Sequence, residues 1–170
     1  MQTIGIINAG ITLIIENTLP LGADQVSKIK ECGQEYGPIN GFQLDLIKKK
    51  EERDVLVKFL KGLQHNTDRT IFLFASPEAL QQSVWQELMQ DLTRSSILRL
   101  VCIDEVHQFV DFGLTFRYKF AKLKKTLFKH IIVNEAETSQ NSAKLKVPVL
   151  FMTATFNEYL LKLLEKLTGC

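Results

Sequence analysis

The stretch Leu98-Arg99-Leu100-Val101-Cys102-Ile103-Asp104-Glu105-Val106-His107 decides the fold. A short apolar run that stops abruptly at two adjacent carboxylates reads as a buried strand delivering charge at its tip. Similar runs occur at Thr12 to Ile15, Ile71 to Phe74 and Val147 to Met152, with a weaker one at Ile39 to Leu44. Between them the periodicity turns helical, predicting helices over Leu21 to Cys32 closed by Gly33, Lys48 to Leu63, Pro77 to Thr93, Thr115 to His130 and Asn157 to Leu167. Strands alternating with helices give an α/β domain whose mainly parallel sheet is covered on both faces. The polar stretch Asn134 to Lys146 reads as a surface loop.

Each strand ends in polar chemistry: Glu16, then Ser76-Pro77-Glu78, then Asp104-Glu105, then Thr153-Ala154-Thr155. Parallel strands bring those ends to one edge, where open α/β sheets bind ligands, so a single shared site is expected. Composition narrows the rest. At 170 residues, 45% hydrophobic and 24% charged, the chain can bury a full core as one domain. No apolar stretch approaches the ~18 to 20 residues of a membrane span, and no membrane partner is expected. The three cysteines, Cys32, Cys102 and Cys170, give neither a metal pattern nor a disulfide framework, which points to a reducing intracellular compartment. A net charge of +2 implies no polyanion by itself.

Two carboxylates at a strand tip form a Walker B arrangement, in which the Asp holds Mg²⁺ and the neighbouring Glu orients and deprotonates the attacking water. A helix N-terminus decorated with acids would look the same. Ser76 and Thr153 could equally be helix caps. Phe116, Phe120, Leu123 and Leu127 have the spacing of a buried helical stripe, while Arg117, Lys119, Lys122, Lys124, Lys125 and Lys129 could line a phosphate track or a solvated face.

The order Thr12-Leu13-Ile14-Ile15, Asp24-Gln25-Val26, Ala75-Ser76-Pro77-Glu78, Asp104-Glu105-Val106-His107, Met152-Thr153-Ala154-Thr155 resembles the first motor domain of superfamily 2 helicases, and within them the RecQ family of DNA helicases. The resemblance spans about Ile11 to Asn157. It implies a RecA-like domain that uses ATP and Mg²⁺. Asp104 would be the metal ligand, Glu105 the catalytic base, and His107 the link to a second RecA-like domain. Thr153 and Thr155 would couple hydrolysis to nucleic-acid movement, and Ser76 would touch the nucleic-acid backbone. Phe112-Gly113-Leu114-Thr115-Phe116-Arg117 resembles the aromatic-rich loop of RecQ proteins, so Phe112, Phe116 and Arg117 would meet single-stranded or partially unwound DNA. Here Phe112, Leu114 and Thr115 replace the family's Trp, His and Asp, and Asn17-Thr18-Leu19-Pro20 departs from its motif Ia. The implied activity is 3′ to 5′ unwinding, in the nucleus of a eukaryote and otherwise in the cytoplasm.

None of the nine glycines is followed by Lys, so the Gly-Lys-Ser/Thr phosphate loop is absent from these residues. Family order places that loop upstream of the first strand. The expectation is therefore a domain incomplete at its N-terminus, with the lost strand beside the one carrying Asp104. A degenerate, non-catalytic nucleic-acid or protein-binding module and a fragment of an RNA helicase are the alternatives.

Overall fold

A computed structural model describes residues 9–16, 19–36, 38–107, 122–133 and 144–168. Its centre is a parallel sheet. Strand β1 (Gly10–Ile15) pairs with β3 (Thr70–Ala75) on one side and β4 (Leu98–Ile103) on the other; β2 (Ile39–Gln43) flanks β3, and β7 (Val149–Phe151) flanks β4. The order is β2-β3-β1-β4-β7, so the expected parallel α/β class holds. All of β1 and β3 is buried, which is why their sequences are apolar without alternation.

Odd residues of β1 and β3, together with Leu98, Val101 and Ile103, build the larger core against Leu56 and Leu60 of helix α2 (Lys50–Lys61) and the apolar stripe of α3 (Ser83–Arg94). That stripe is Trp85, Leu88, Met89 and Leu92, all at most 1% exposed and at helical spacing. The opposite face packs Ile14, Phe72, Phe74, Leu100 and Cys102 against Ile29 of α1 (Leu19–Tyr36). Burial pushes the Cys102 thiol up to about 11, leaving it protonated at neutral pH. Among the described residues no helix is long and apolar enough to cross a membrane.

Four details depart from the sequence reading. Helix α1 does not end at Gly33 but runs on to Tyr36. Glycine serves there for close approach, since a Cβ at Gly33 would lie 2.5 Å from the Ile39 carbonyl oxygen. The helix expected from Pro77 is divided into a 3₁₀ turn at Ala79–Gln81 and α3. Ser76 Oγ caps the Ala79 N–H at 3.0 Å, and extended Gln82 restarts the chain by accepting from Trp85 and Gln86 at 3.1 Å each. The polar stretch before β7 is anchored at its ends by a small antiparallel ribbon, β5 (Ile132–Val133) with β6 (Lys144–Leu145). Finally, both edges of β4 are occupied, by β1 and β7, so no further strand can lie beside Asp104's strand as expected. Of the helix expected over Thr115 to His130, the described portion contains a π-helical turn, Lys124–Phe128, followed by α4 (Lys129–Ile131), with Leu123 and Leu127 buried as the stripe required. Phe116 and Phe120 lie outside the described residues.

The C-terminus of α3 closes with the Ile97 N–H on the Leu92 carbonyl at 3.0 Å and the Ser96 N–H on that of Thr93 at 3.1 Å. This is a Schellman closure, and it requires a left-handed residue where Ser96 stands, at φ 55°. Ser96→Gly is therefore expected to stabilise the chain by about 0.5–1 kcal/mol, read as a higher urea midpoint at unchanged m-value. A lower midpoint would mean that the serine side chain contributes more than its backbone strain costs.

Candidate functional site

Three strand tips are tied rung to rung. The Glu16 N–H donates to the Ala75 carbonyl at 3.1 Å and the Asp104 N–H to that of Ile15 at 3.0 Å, which sets Ser76, Glu16 and Asp104 side by side at the carboxyl ends of β3, β1 and β4. Beyond β4, the Met152 N–H donates to Ile103 and the Val106 N–H returns to Met152, both at 2.9 Å. The end of β7 is thereby bound to the segment containing Asp104 through His107.

Asp104 Oδ1 accepts the Glu105 N–H at 2.8 Å. Glu105 itself has φ 52°, a left-handed backbone that costs a non-glycine residue ~1–3 kcal/mol and is held only where the surroundings over-determine it. Here the Asp104 side chain and the Val106–Met152 bond do so. His107 Nδ1 lies 3.0 Å from Thr153 Oγ1 and 3.2 Å from Glu105 Oε2. The Thr153 hydroxyl gives its proton to the Thr155 carbonyl at 2.6 Å, so toward His107 it can only accept. Nδ1 must therefore carry the hydrogen, shared between Thr153 and Glu105, and a neutral ring presents Nε2 as its acceptor. The five residues Asp104, Glu105, His107, Thr153 and Thr155 are thus brought together, Thr155 through its backbone.

Among the described residues no group of three or more His, Cys, Asp or Glu side chains could hold a metal. Mg²⁺ is ordinarily bound by one or two carboxylates, water and substrate phosphates rather than by a protein cage. Asp104 is half-buried at the tip, and its charge is felt by Glu16. A divalent cation there would relieve that repulsion.

Glu16 is the residue whose role sequence reading missed. Only 5% exposed, it accepts from Gln25 Nε2 at 2.9 Å through Oε1, while Oε2 has no hydrogen-bond partner. Gly22 roofs it: a Cβ there would stand 3.3 Å from Oε2 and 2.9 Å from Gln43 Nε2. Burial first, and then the negative charge of Asp104, raise its pKa from 4.5 to about 7. Asp45 was missed too. Its carboxylate accepts the Ser76 N–H at 2.8 Å and the Ser76 hydroxyl proton, so the Ser76 side chain is engaged internally on both sides. Asp45 follows β2 and could have been found by the same rule of polar strand tips. Lys122 donates to Gln81 Oε1 at 2.6 Å, joining the turn after Ser76 to the element that follows the aromatic-rich stretch. Phe112, Phe116 and Arg117 lie outside the described residues.

The family model for the DEAD/DEAH box helicase matches residues 3–163. A Caenorhabditis briggsae protein named as an ATP-dependent DNA helicase Q1 is 28% identical over 165 residues, covering 94% of this chain and 22% of that protein. The ATP-dependent DNA helicase Q5 of Mus musculus is 24% identical over 122 residues, 72% of this chain and 12% of its own length. The chain therefore spans less than a quarter of either relative.

The buried carboxyl yields a test of the geometry. Because Glu16 binds its proton more tightly folded than unfolded, it costs nothing below about pH 4.5 and destabilises the chain progressively as pH rises toward about 7. Glu16→Gln should match the parent near pH 4.5 and exceed it by ~1–3 kcal/mol at about pH 8, measured by denaturant unfolding. Parallel profiles for the two chains would mean that Glu16 ionises like a surface carboxyl.

Proposed function

The chain belongs to the DEAD/DEAH box helicase family, and from that premise we propose that its strand tips form the hydrolytic edge of a RecQ-type, ATP-dependent DNA helicase. The observation that carries the reading is the position of His107 Nδ1, 3.2 Å from Glu105 Oε2 and 3.0 Å from Thr153 Oγ1. One imidazole thereby senses both the acidic tip of β4 and the hydroxyl tip beyond β7. An isolated helix cap has no need of that link.

Asp104 would hold Mg²⁺, which on binding with ATP supplies neutralisation of the phosphate charge. Glu105, 44% exposed at its side chain, would orient a water and accept its proton. Its left-handed backbone fixes the carboxylate relative to Asp104, so the base is preset. Rotation of His107 away from Glu105 would be transmitted to the Thr153–Thr155 turn, and so to any strand of DNA lying over the tips. Asp45 holds the Ser76 N–H and hydroxyl, and from that fixed position Ser76 would touch the nucleic-acid backbone. The RecQ assignment is supported by the two relatives named as DNA helicases and by the Phe112 to Arg117 stretch. The second reading, a module that binds without hydrolysing, is favoured for these 170 residues by the lack of any Gly-Lys pair.

Two measurements follow. Calorimetry of the chain with Mg·ATP should show binding weaker than micromolar and no turnover, because Asp104 can hold the cation while nothing in the sequence cradles the phosphates. A micromolar dissociation constant would overturn this. Single-stranded DNA should bind in a salt-sensitive way, with affinity falling steeply between about 50 and 200 mM salt. Phe112→Ala should weaken it more than Phe120→Ala, since the first ring is assigned to stacking and the second to the core. Absence of DNA binding at low salt would remove the helicase reading itself.

A further inference from the structure

Arg99 does not follow the alternation of its strand. The register between β1 and β4 passes from Ile11–Leu98 directly to Thr12–Leu100, so Arg99 is the extra residue of a bulge, a device that re-aims a side chain. The redirected stem passes under the first residue of β1. Gly10 has φ +125°, and a Cβ there would lie 2.6 Å from Arg99 Cγ, so glycine is what lets the arginine through. At the far end Nη2 donates to the His65 carbonyl at 2.7 Å and Nη1 lies 3.5 Å from His65 Nε2, so both terminal nitrogens meet His65. His65 thus holds the guanidinium in place, and three of its five N–H groups lie outside these two contacts.

Beside it, at the amino ends of β4 and β7, opens a cavity of about 600 Å³ lined by Arg94, Arg99 and Lys146, with Ser96 and Thr93 among its polar walls and no carboxylate in its lining. Arg94 and Lys146 face solvent, and among the described residues neither has a carboxylate partner. The acid closest along α3, Asp91, is already paired with Lys61 at 2.6 Å. The terminal carbonyls of α3, its negative end, are covered by the N–H groups of Ser95, Ser96 and Ile97. His130 has its pKa lowered first by burial and then by the charges of Lys129 and Arg94.

We propose that this cavity is a phosphate-binding site on the edge of the sheet opposite Asp104 and Glu105, with Arg99 as a preset fork and Arg94 and Lys146 as solvent-facing cations. Planar guanidinium groups recognise phosphate oxygens with two parallel bonds, and the lysine adds a point charge. The phosphate can come from a free polyphosphate anion or from a nucleic-acid backbone. No strand-tip residue takes part, so the site stands or falls apart from the hydrolytic reading.

The test titrates the 170-residue chain with pyrophosphate, followed by amide chemical shifts, and with a labelled single-stranded oligonucleotide, followed by anisotropy. Arg94→Gln combined with Lys146→Gln removes two exposed cations without touching the Arg99 bulge, so the variant should fold. It should bind pyrophosphate about tenfold more weakly, with perturbed amides clustered at residues 93–99 and 146–148 in the parent. Asp104→Asn should leave this binding unchanged. The matched control, Lys162→Gln with Lys166→Gln, lowers net charge equally on α5 (Glu158–Thr168) and should lose nothing. An oligonucleotide affinity that falls in step identifies the backbone as the phosphate source, and one that holds identifies a free anion. No pyrophosphate binding, or equal loss in the control, would overturn the site.

Discussion

Everything at the carboxyl edge depends on the backbone pairing that locks β4 between β1 and β7. Two hydrogen bonds, Asp104 to Ile15 and Met152 to Ile103, stop three strands at the same height. Without that shared limit Asp104, Glu16 and Thr153 would be residues on separate loops. With it, distances near 3 Å between side chains far apart in sequence follow from sheet geometry, and the side chains need supply little positioning of their own. The apolar completeness of β1 and β3 serves the same end, because a buried interior cannot slip in register without exposing its neighbours to water.

The tip region also concentrates what is unfavourable in the molecule. Glu105 is in a left-handed conformation, and Glu16 is a carboxyl with an unpartnered oxygen in the interior. Each costs free energy that a purely structural sequence would avoid. Such costs persist where surroundings are dense enough to impose them, and here they lie on neighbouring strands around Asp104. Arg99 and Ser96 are a second pair of local departures, at the opposite edge of the same sheet. Among the described residues the two left-handed non-glycine backbones, Ser96 and Glu105, thus stand just before and just after β4.

Strand positions and the parallel class were legible in the sequence because period and composition report burial directly. The clustering of Asp104, Glu105, His107 and Thr153 was legible because parallel strands align their ends. What could not be read were the exceptions made by single side chains. Gly33 looked like a helix stop, since glycine at a helix end is usual, yet the tight approach of Ile39 is a tertiary fact. Pro77 looked like a helix start, and Ser76 does cap the Ala79 N–H, yet the turn so opened is a 3₁₀ turn that gives way to extended Gln82, from which α3 begins. Glu16 was visible as a polar tip, but its depth depends on Gly22 and Gln43, brought over it by chain folding. The neighbour of β4 was misplaced because strand order is set by crossover connections, and local pattern carries no trace of them.

The bulge at Arg99 bears on how the gene can vary. With Arg99 counted out, Leu98, Val101 and Ile103 point to one face and Leu100 and Cys102 to the other, in unbroken alternation. Loss of that one codon would leave the core pattern of β4 in phase and the acidic pair still at its tip. Loss of a codon from Leu100 to Ile103 would keep Asp104 at the tip only by taking Arg99 into the ladder, which sets its charge on the face that packs Leu100 and Cys102. Length variation in β4 is thus free of cost to the core at Arg99 and buries an arginine when it falls on the next four, a tolerance created by an irregularity rather than by a loop.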